Sequence, residues 1–288
     1  MSKQSTQSTY TGRGHIETRS WQAGGTSMRE AMVMSTSGDE RRERILHEVM
    51  AHGKVTVTGL SELLGVTTET IRKDLVTLGE RNVISKRHGF VTLATPMPER
   101  DSEKGESLHL AEKTAIAERA ARLTPQDAAV FLDTSTTVLC LASLLALRSD
   151  LTVIPNSIDV CQALARSGSK ILVTGGLYRT KSNSCVGSWA LRSMESVNVD
   201  VAFLGCDGFS PEGPTIRSYQ EVEFKRMVAR RAKRTVLLAD TSKLGNTGLY
   251  TFANYADFSL MIFERELNVG ERKVLPKNVA LIDVVPPS

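Results

Sequence analysis

The sequence predicts two domains, a small N-terminal winged helix-turn-helix followed by a doubly wound, mostly parallel α/β domain. Residues 39–93 repeat apolar side chains at helical spacing three times, around a glycine turn, before two short β-like runs. Beyond residue 107, continuous apolar runs alternate with helix-length segments, which is typical of strands buried on both faces of a parallel sheet. A chain of 288 residues also exceeds the usual domain size of roughly 100–200 residues.

Composition restricts the class of protein. With 41% hydrophobic and 24% charged residues, the chain has the make-up of an ordinary globular protein. No stretch approaches the roughly 18 apolar residues that span a bilayer, and residues 1–37 lack the apolar segment of a secretory signal. We therefore expect a cytoplasmic protein with no membrane partner.

The cysteines point to neither a disulfide framework nor a metal site. They form no CxxC pair, and no histidines lie near them at ligand spacing. Most sit among apolar or small residues, so reduced, buried thiols are expected, with no metal and no cofactor. The residues concerned are Cys140, Cys161, Cys185 and Cys206.

Shifts in composition mark the domain boundaries. Residues 1–38 have no hydrophobic periodicity and are expected to form a disordered tail. Residues 94–107 contain two prolines, a glycine and several charges, which is typical of a linker. The winged helix-turn-helix is therefore placed at residues 39–93 and the effector domain at residues 108–288.

Three amphipathic helices are predicted in the first domain. The first begins in the charged turn at Asp39 and ends at Gly53, and Thr58 is the expected N-cap of the second. Gly65 makes a tight turn, after which Thr67 caps the third helix. The apolar positions expected to face inward are Ile45, Val49 and Met50, then Leu60, Leu63 and Leu64, then Ile71, Leu75 and Leu78.

Short β segments complete this domain. Residues 54–57 read as one, and residues 83–86 and 90–93 as two more around a turn at Gly89. Helix, helix, glycine turn, helix and hairpin is the order of a winged helix-turn-helix.

The third helix presents a polar face opposite its apolar positions. In helix-turn-helix proteins the first turns of this helix enter the major groove, where hydroxyls, acids and cations meet base edges and phosphates. The chain carries a net charge of only +4, but residues 70–90 hold five Lys or Arg, Arg81 among them, against Asp74 and Glu80. An isolated Arg-Lys pair is more simply a solvated helix face, whereas the cap, the turn spacing and the adjoining basic hairpin favour double-stranded DNA. The candidate DNA-binding residues are Thr67, Thr68, Glu69, Thr70, Arg72, Lys73, Lys86, Arg87 and His88.

Two motifs in this domain resemble the N-terminal signature of DeoR-type bacterial transcriptional regulators. The resemblance implies that the second motif lies on the recognition helix. The hairpin has one glycine, Gly89, where the family usually has two. The motifs are Arg42-x3-Leu46-x3-Met50 and, after sixteen residues, Thr67-x2-Thr70-Ile71-Arg72-Lys73-Asp74-Leu75.

An Ala-rich helix over residues 110–123 opens the second domain, and five apolar runs predict its strands. The runs cover residues 128–132, 151–154, 170–173, 199–204 and 235–239. Helix-length segments between them include residues 138–147, 158–167 and 219–233. Apolar stretches at 258–263 and 278–284 are expected to extend the sheet edge.

Polar, turn-forming segments follow each of the five runs. Because the carboxyl ends of parallel strands meet at one edge of a sheet, these segments predict a ligand pocket there. Thr136 and Thr137 open a helix, whose free N–H groups suit a phosphate. Every residue type in these segments is also an ordinary turn former, so each is weak evidence alone. The side chains suited to sugar hydroxyls or to an anion are Asn156, Asp207, Asp240 and Lys243.

The resemblance runs on through this domain and so covers nearly the whole chain from about residue 39. It implies the family's sugar-phosphate-sensing domain, related in fold to phosphosugar isomerases and CoA transferases. Ser135 stands where the family commonly has glycine. The serine side chain would narrow the loop that holds the phosphate or add a hydroxyl to it. Arg179 and Lys181 are candidate phosphate partners, and a surface role for Lys181 is equally open. The candidate ligand-binding residues are Asp133, Ser135, Thr136, Thr137, Asn156, Ser157, Gly175, Gly176, Arg179, Lys181, Asp207, Glu221, Lys225 and Lys243.

These expectations combine into a sequence-specific transcriptional regulator that is not an enzyme. It would repress a carbohydrate-utilisation operon until a phosphorylated sugar binds, with the linker transmitting a change in the geometry of a homo-oligomer, a dimer or tetramer. One alternative is a phosphosugar isomerase-like enzyme with an accessory DNA-binding segment, in which Asp207 and Glu221 act as acid and base. Another is a DNA-architectural protein without an effector. The sugar and the operator stay open.

Overall fold

The computed structural model describes residues 38–87, 89–94, 109–277, 279 and 282–284. The expected tail up to residue 37, most of the expected linker and the candidate DNA-binding residue His88 lie outside these ranges. Within them, no helix is long and apolar enough to cross a membrane.

The first part of the described chain folds as a winged helix-turn-helix. Its elements are α1 (Gly38–His52), β1 (Val55–Thr56), α2 (Val57–Leu64), α3 (Thr68–Glu80), β2 (Ile84–Arg87) and β3 (Phe90–Leu93). The three strands form an antiparallel sheet in the order β1-β3-β2, and β2 with β3 is the predicted hairpin. Gly65 adopts φ +64° between α2 and α3, a conformation that glycine reaches without the steric cost of a Cβ.

Two expectations for α2 are wrong. The N-cap is Thr56 and not Thr58, because α2 already begins at Val57 and the Thr56 hydroxyl accepts a hydrogen bond from the Gly59 N–H at 3.0 Å. Leu63 does not face the core: its side chain is 53% exposed, while Leu60 is buried. Residues four apart on a helix lie about 40° from each other, so Leu60 and Leu64 share a face from which Leu63 is turned away.

The third helix matches its prediction and adds an unforeseen contact. Thr67 caps it, and Ile71, Leu75 and Leu78 are buried as expected. Asp74 is buried as well, and its carboxylate accepts hydrogen bonds from Arg41 Nε at 2.5 Å and from Arg42 Nη1 at 3.2 Å. This ion pair ties α3 to α1 and removes the Asp74 charge from the outward surface of the recognition helix.

The second part of the described chain is a doubly wound α/β fold. Within the described residues the main sheet has seven parallel strands in the order β15-β14-β12-β9-β4-β5-β6. Its strands are β4 (Ala129–Leu132), β5 (Thr152–Pro155), β6 (Lys170–Ile171), β9 (Val201–Gly205), β12 (Arg234–Leu238), β14 (Leu260–Phe263) and β15 (Ile282–Val284). The helices are α4 (Leu110–Arg122), α5 (Thr136–Leu145), α6 (Ile158–Leu164), α7 (Ser188–Glu195), α8 (Tyr219–Arg231) and α9 (Val269–Arg272). The mostly parallel prediction and the two edge stretches are confirmed.

Two small antiparallel sheets were not predicted. One is the hairpin of β7 (Leu177–Arg179) and β8 (Ser184–Val186). The other joins β10 (Gly208–Phe209), β11 (Pro214–Ile216) and β13 (Tyr250–Thr251). Strands of two or three residues carry too little hydrophobic pattern to be found from sequence.

The main sheet is covered on both faces. Val130 and Leu132 of β4 belong to a hydrophobic core that includes α4 and α5, while Phe131 between them belongs to a second core with α7 and α8. The first core continues without a break into the winged helix-turn-helix, because Ile45 and Leu46 of α1 belong to it. The winged helix-turn-helix is therefore packed directly on the α4 and α5 face of the sheet.

A charged contact lies in that packing, between α1 and α4. The His47 imidazole Nδ1 is hydrogen-bonded to the Glu118 carboxylate. This bond raises the pKa of His47 above its usual value, despite the opposing effect of burial. Protonated His47 therefore favours the packed arrangement.

Replacement of Asp74 by alanine is expected to lower the free energy of unfolding by about 2 kcal/mol, because Arg41 and Arg42 lose their shared partner. Asp39→Ala is the matched control: Asp39 also pairs with Arg42 but is 84% exposed, so about 0.5 kcal/mol or less is expected. Urea unfolding followed by circular dichroism measures both. Equal losses would contradict a special role for the buried pair.

Replacement of His47 by glutamine is expected to lower the free energy of unfolding more at acidic pH than at alkaline pH. A raised folded-state pKa gives stability that is complete below the unfolded value of about 6.5 and is lost as the pH rises through the folded value. The difference in free energy of unfolding between wild type and His47→Gln should therefore shrink from about pH 6 to about pH 8. His52→Gln, on the same helix with a 65% exposed side chain, is the control.

Candidate functional site

The candidate DNA-reading residues of α3 stand on its outward face. The Thr67 hydroxyl accepts a hydrogen bond from the Thr70 N–H at 3.1 Å, which holds the first turn of the helix in place. Lys73 is exposed, and the Arg72 side chain is 58% exposed with only a long 3.5 Å contact to Glu69. A guanidinium held this loosely can reorient towards a base edge or a phosphate at little cost.

The three-stranded sheet of this domain carries two more cations. Lys86 of β2 is exposed. Lys54, which precedes β1, places its Nζ 3.5 Å from the centre of the Phe90 ring on β3. Lys54 was not among the candidate residues, because only the folded sheet brings it beside Phe90. Of the other candidates, Arg87 ends β2, while Thr68 is half-buried in the first turn of α3.

Arg81 does not belong to the basic surface on which the sequence placed it. It follows the last residue of α3, and its Nη1 donates a 2.6 Å hydrogen bond to the carbonyl oxygen of Leu147, just past α5. The guanidinium therefore points towards the α/β domain and not towards the outward face of α3. No local sequence pattern indicates this, because the two residues are far apart in the chain.

A buried ion pair lies at the carboxyl edge of the main sheet. Lys225 Nζ of α8 donates to Asp133 Oδ2 at 2.5 Å and to the Gly205 carbonyl oxygen at 2.9 Å. The same Asp133 oxygen accepts from the Gly205 N–H at 2.9 Å. Burial by itself lowers the pKa of Lys225, but the Asp133 and Glu221 carboxylates outweigh it and raise that pKa above its usual value. Lys225 therefore stays protonated.

Unsatisfied oxygens lie along the same edge of the sheet as this pair. Among the described residues, five buried side-chain oxygens have no hydrogen-bond partner. Four of them follow strands of the main sheet on its carboxyl edge, and the fifth, Ser218 Oγ, belongs to the residue before α8 and makes no capping hydrogen bond to that helix. An unpaired buried polar group costs about 1–3 kcal/mol, so such a set is typical of a site built for a polar ligand. The atoms are Asp133 Oδ1, Asn156 Oδ1, Thr174 Oγ1, Ser218 Oγ and Asp240 Oδ2.

Ser135 has a specific place beside this edge. Its hydroxyl accepts a hydrogen bond from the Val138 N–H at 3.1 Å and so caps α5, whose first two residues are Thr136 and Thr137. A Cβ added at Gly205 would lie 2.3 Å from the Ser135 Cβ. The serine side chain is therefore accommodated only because β9 ends in a glycine.

A second group of candidates is joined to the ion pair through α8. Arg179 Nη1 donates to Glu221 Oε1 at 3.3 Å and to Ser182 Oγ at 2.8 Å, and Glu221 lies one helical turn before Lys225. Gly176, at φ +113°, precedes β7 and lies close to the end of β8. A Cβ at this position would lie 2.6 Å from the Val186 carbonyl oxygen, so only glycine fits there. Gly175 also has a positive φ, of +64°.

The remaining candidates are more dispersed. Lys181 is exposed in the short turn between β7 and β8, which favours the surface role. Asp207 Oδ2 accepts from the Arg217 N–H at 2.8 Å, and the Ser157 hydroxyl accepts from the Val160 N–H at 3.4 Å. Lys243 is half-buried in the turn after β12.

Three of the five unsatisfied residues are missing from the final set of candidate ligand-binding residues, although the sequence had already indicated that Asp240 suits a sugar hydroxyl. Thr174 precedes the double glycine, Asp240 follows β12 and Ser218 precedes α8. The only feature of the sequence that could have identified them is that each follows a predicted strand or precedes a predicted helix. Polar turn residues elsewhere share that signal, so burial without a partner is what separates these three.

A DNA-reading winged helix joined to an α/β domain with an unsatisfied polar edge defines the class of ligand-responsive DNA-binding regulators. Family models agree: the DeoR-like helix-turn-helix domain matches residues 41–96 and the DeoR C-terminal sensor domain matches residues 108–265. The chain belongs to the DeoR family of HTH-type transcriptional regulators.

Relatives match along most of their length. The HTH-type transcriptional repressor GlcR of Bacillus subtilis is 34% identical over 243 residues, which is 83% of this chain and 93% of that protein. The putative aga operon transcriptional repressor of Escherichia coli O157:H7 is 30% identical over 253 residues, 86% of this chain and 93% of that protein. A ribose 5-phosphate isomerase structure from Methanocaldococcus jannaschii has 17% identity and a TM-score of 0.34, over 46% of this chain and 52% of that one.

Replacement of Arg72 by alanine is expected to weaken binding to operator DNA by about 1–3 kcal/mol, the value of one good base contact. The operator is the sequence that the wild-type chain selects from a random DNA library, and fluorescence anisotropy measures the affinity. Arg230→Ala, an exposed arginine on α8, controls for the loss of one positive charge. Equal losses in the two variants would rule out a specific contact by Arg72.

Proposed function

We propose that this chain represses a carbohydrate-utilisation operon and that a phosphorylated sugar releases it from the operator. The observation that carries the proposal is the set of unsatisfied buried oxygens at the carboxyl edge of the main sheet, where the Asp133–Lys225 pair also lies. DNA reading is assigned to the outward face of α3 with the wing, and effector binding to the carboxyl edge of the main sheet. The names of the relatives GlcR and the aga operon repressor support a repressor of sugar metabolism.

The chemistry of the edge suits a phosphosugar. Carboxylate, amide and hydroxyl oxygens can bind several sugar hydroxyls at once, and each gains the partner that it lacks in the protein. The phosphate is assigned to the N-terminus of α5, where the Thr136 and Thr137 hydroxyls and the free N–H groups of the first turn converge. Arg179, which donates a hydrogen bond to Glu221 of α8, is assigned as a further cation for the phosphate.

Regulation requires that the phosphosugar bind the DNA-bound and DNA-free arrangements unequally, since a ligand with equal affinity for both shifts nothing. A homo-oligomer, a dimer or tetramer, is assigned because helix-turn-helix proteins commonly read two half-sites. Both operator DNA and phosphorylated sugars are found in the cytoplasm, so the protein is placed there.

The alternative is a phosphosugar isomerase-like enzyme. Its two candidate acid-base residues are already engaged: Asp207 accepts from the Arg217 N–H, and Glu221 accepts from Arg179. Turnover of ribose 5-phosphate or glucose 6-phosphate at enzyme-like rates would favour the enzyme. A DNA-architectural protein would instead show no change in melting temperature or operator binding with any phosphosugar.

Replacement of Thr174 by valine separates ligand binding from folding. The Thr174 hydroxyl has no partner in the protein, so the variant should keep its stability and yet bind a phosphosugar about three- to tenfold more weakly. Thermal shift with glucose 6-phosphate, fructose 6-phosphate, ribose 5-phosphate and inorganic phosphate measures both properties, since a ligand of the native state raises its melting temperature.

Thr235→Val is the matched control for this experiment. The buried Thr235 hydroxyl donates to the Ala229 carbonyl oxygen at 2.9 Å, near the start of β12 and away from the carboxyl edge. This variant should lose about 1 kcal/mol of stability and keep its phosphosugar affinity. Full phosphosugar affinity in Thr174→Val, or an equal loss of affinity in both variants, would contradict the placement of the site.

A further inference from the structure

We infer that Arg81 is a positioning residue that couples the effector edge to the recognition helix within one subunit. The inference rests on the proposed function, because it takes the carboxyl edge as the effector site. It adds the route by which occupancy of that site reaches the DNA-reading face, and this route does not depend on the linker.

Helix α5 joins the two regions directly. It begins at Thr136, three residues after the buried Asp133 and capped by Ser135, and it ends at Leu145. Its ten residues span about 15 Å. Two residues further on, the Leu147 carbonyl oxygen accepts the 2.6 Å hydrogen bond from Arg81 Nη1. One end of α5 therefore lies at the effector edge and the other lies against the end of α3.

A second connection runs through α6 to the neighbours of Arg81. Asn82 Nδ2 donates to the Gln162 carbonyl oxygen at 3.4 Å, and Arg166 Nη1 donates to the Glu80 carbonyl oxygen at 3.4 Å. The segment that carries Gln162 and Arg166 starts directly after Asn156, whose Oδ1 is one of the unsatisfied oxygens. Three consecutive residues at the end of α3 thus contact segments that begin at the effector edge.

The packing of α5 allows it to act as a rigid connector. All of its residues after Thr136 are buried, so a displacement of its first turn cannot be absorbed by solvent-exposed side chains. The groups at its two ends also suit the helix macrodipole, because a phosphate would lie at the N-terminus and the Arg81 guanidinium lies beyond the C-terminus. A displacement of one end of the buried helix is therefore transmitted mechanically to the other end.

The consequence for DNA reading follows from the geometry of α3. Its 13 residues span about 20 Å, with Arg81 just beyond one end and the DNA-reading residues around Thr67 and Arg72 at the other. A small tilt at the anchored end moves the reading end by a larger distance. Arg81 thereby sets the angle of the reading face without touching DNA or the effector.

The experiment compares Arg81→Ala with a matched arginine. Arg231 Nη2 donates an equally short 2.6 Å hydrogen bond to the carbonyl oxygen of Glu195, the last residue of α7, on the opposite face of the sheet. Arg231→Ala therefore removes the same kind of bond at the end of a helix outside the proposed route. The readout is the ratio of operator affinities without and with a saturating concentration of whichever of glucose 6-phosphate, fructose 6-phosphate or ribose 5-phosphate raises the wild-type melting temperature most.

The expected result is a loss of coupling with both binding activities retained. Coupling ratios of this kind are typically about 5–150-fold, and loss of a charge-assisted hydrogen bond should reduce the ratio about tenfold in Arg81→Ala. The variant should still bind operator DNA and should bind the phosphosugar with wild-type affinity. Arg81→Lys should restore part of the ratio, because an ammonium can donate one hydrogen bond to the same carbonyl. Arg231→Ala should keep the full ratio.

Two outcomes would overturn the inference alone. They are a wild-type ratio in Arg81→Ala, and an equal loss of the ratio in Arg231→Ala. In both cases the phosphosugar still binds and releases the wild-type chain, so the proposed function stands. If none of the three phosphosugars binds the wild-type chain or changes its operator affinity, the proposed function and the coupling inference fall together.

Discussion

The ion pair between Asp133 and Lys225 is the interaction around which the effector domain is arranged. It satisfies both backbone groups of Gly205 and so joins β4, β9 and α8 at the centre of the sheet. Charges this deeply buried are tolerated only when they are paired and hydrogen-bonded. Because Lys225 uses one oxygen of Asp133, the other oxygen is left facing the group of unsatisfied atoms at the carboxyl edge. The pair that holds the sheet together thus also supplies part of the polar site.

The recognition helix depends on a second buried carboxylate. Asp74 is held by Arg41 and Arg42 of α1, so its charge is neutralised inside the domain and does not oppose the phosphates that α3 would approach. The contact of Arg81 with Leu147 removes one positive charge from the same surface, so the local excess of positive charge stays close to the value counted along the sequence. The domain as a whole remains only weakly basic, which suits a protein that must leave its site when a ligand binds.

Features with a strong local signal were predictable. The Thr67 cap, the buried positions of α3 and the glycine turn before it depend on interactions within a few residues, and the structure confirms them. Most strands of the main sheet were found because they are continuous apolar runs, whereas β6 keeps only Lys170–Ile171 of the run expected at residues 170–173, and Leu172 and Val173 are exposed. Features that need a precise helix register were less predictable: α2 begins at Val57, earlier than a cap at Thr58 allows, and Leu63 lies on its exposed side.

By itself, the sequence determined the two-domain order, the winged helix-turn-helix, the parallel sheet and the edge at which polar loops gather. Periodicity and turn chemistry act over short stretches of chain, which is why a single sequence contains them. Only the tertiary structure decided that Arg81 contacts Leu147, that Lys54 lies over Phe90, and which polar atoms are buried without partners. The contact of Arg81 depends on how the helix-turn-helix packs on the α/β domain, and the other two outcomes depend on how strands and helices pack within each domain. Residues that are distant in the chain become neighbours through that packing, so no local pattern records the contact.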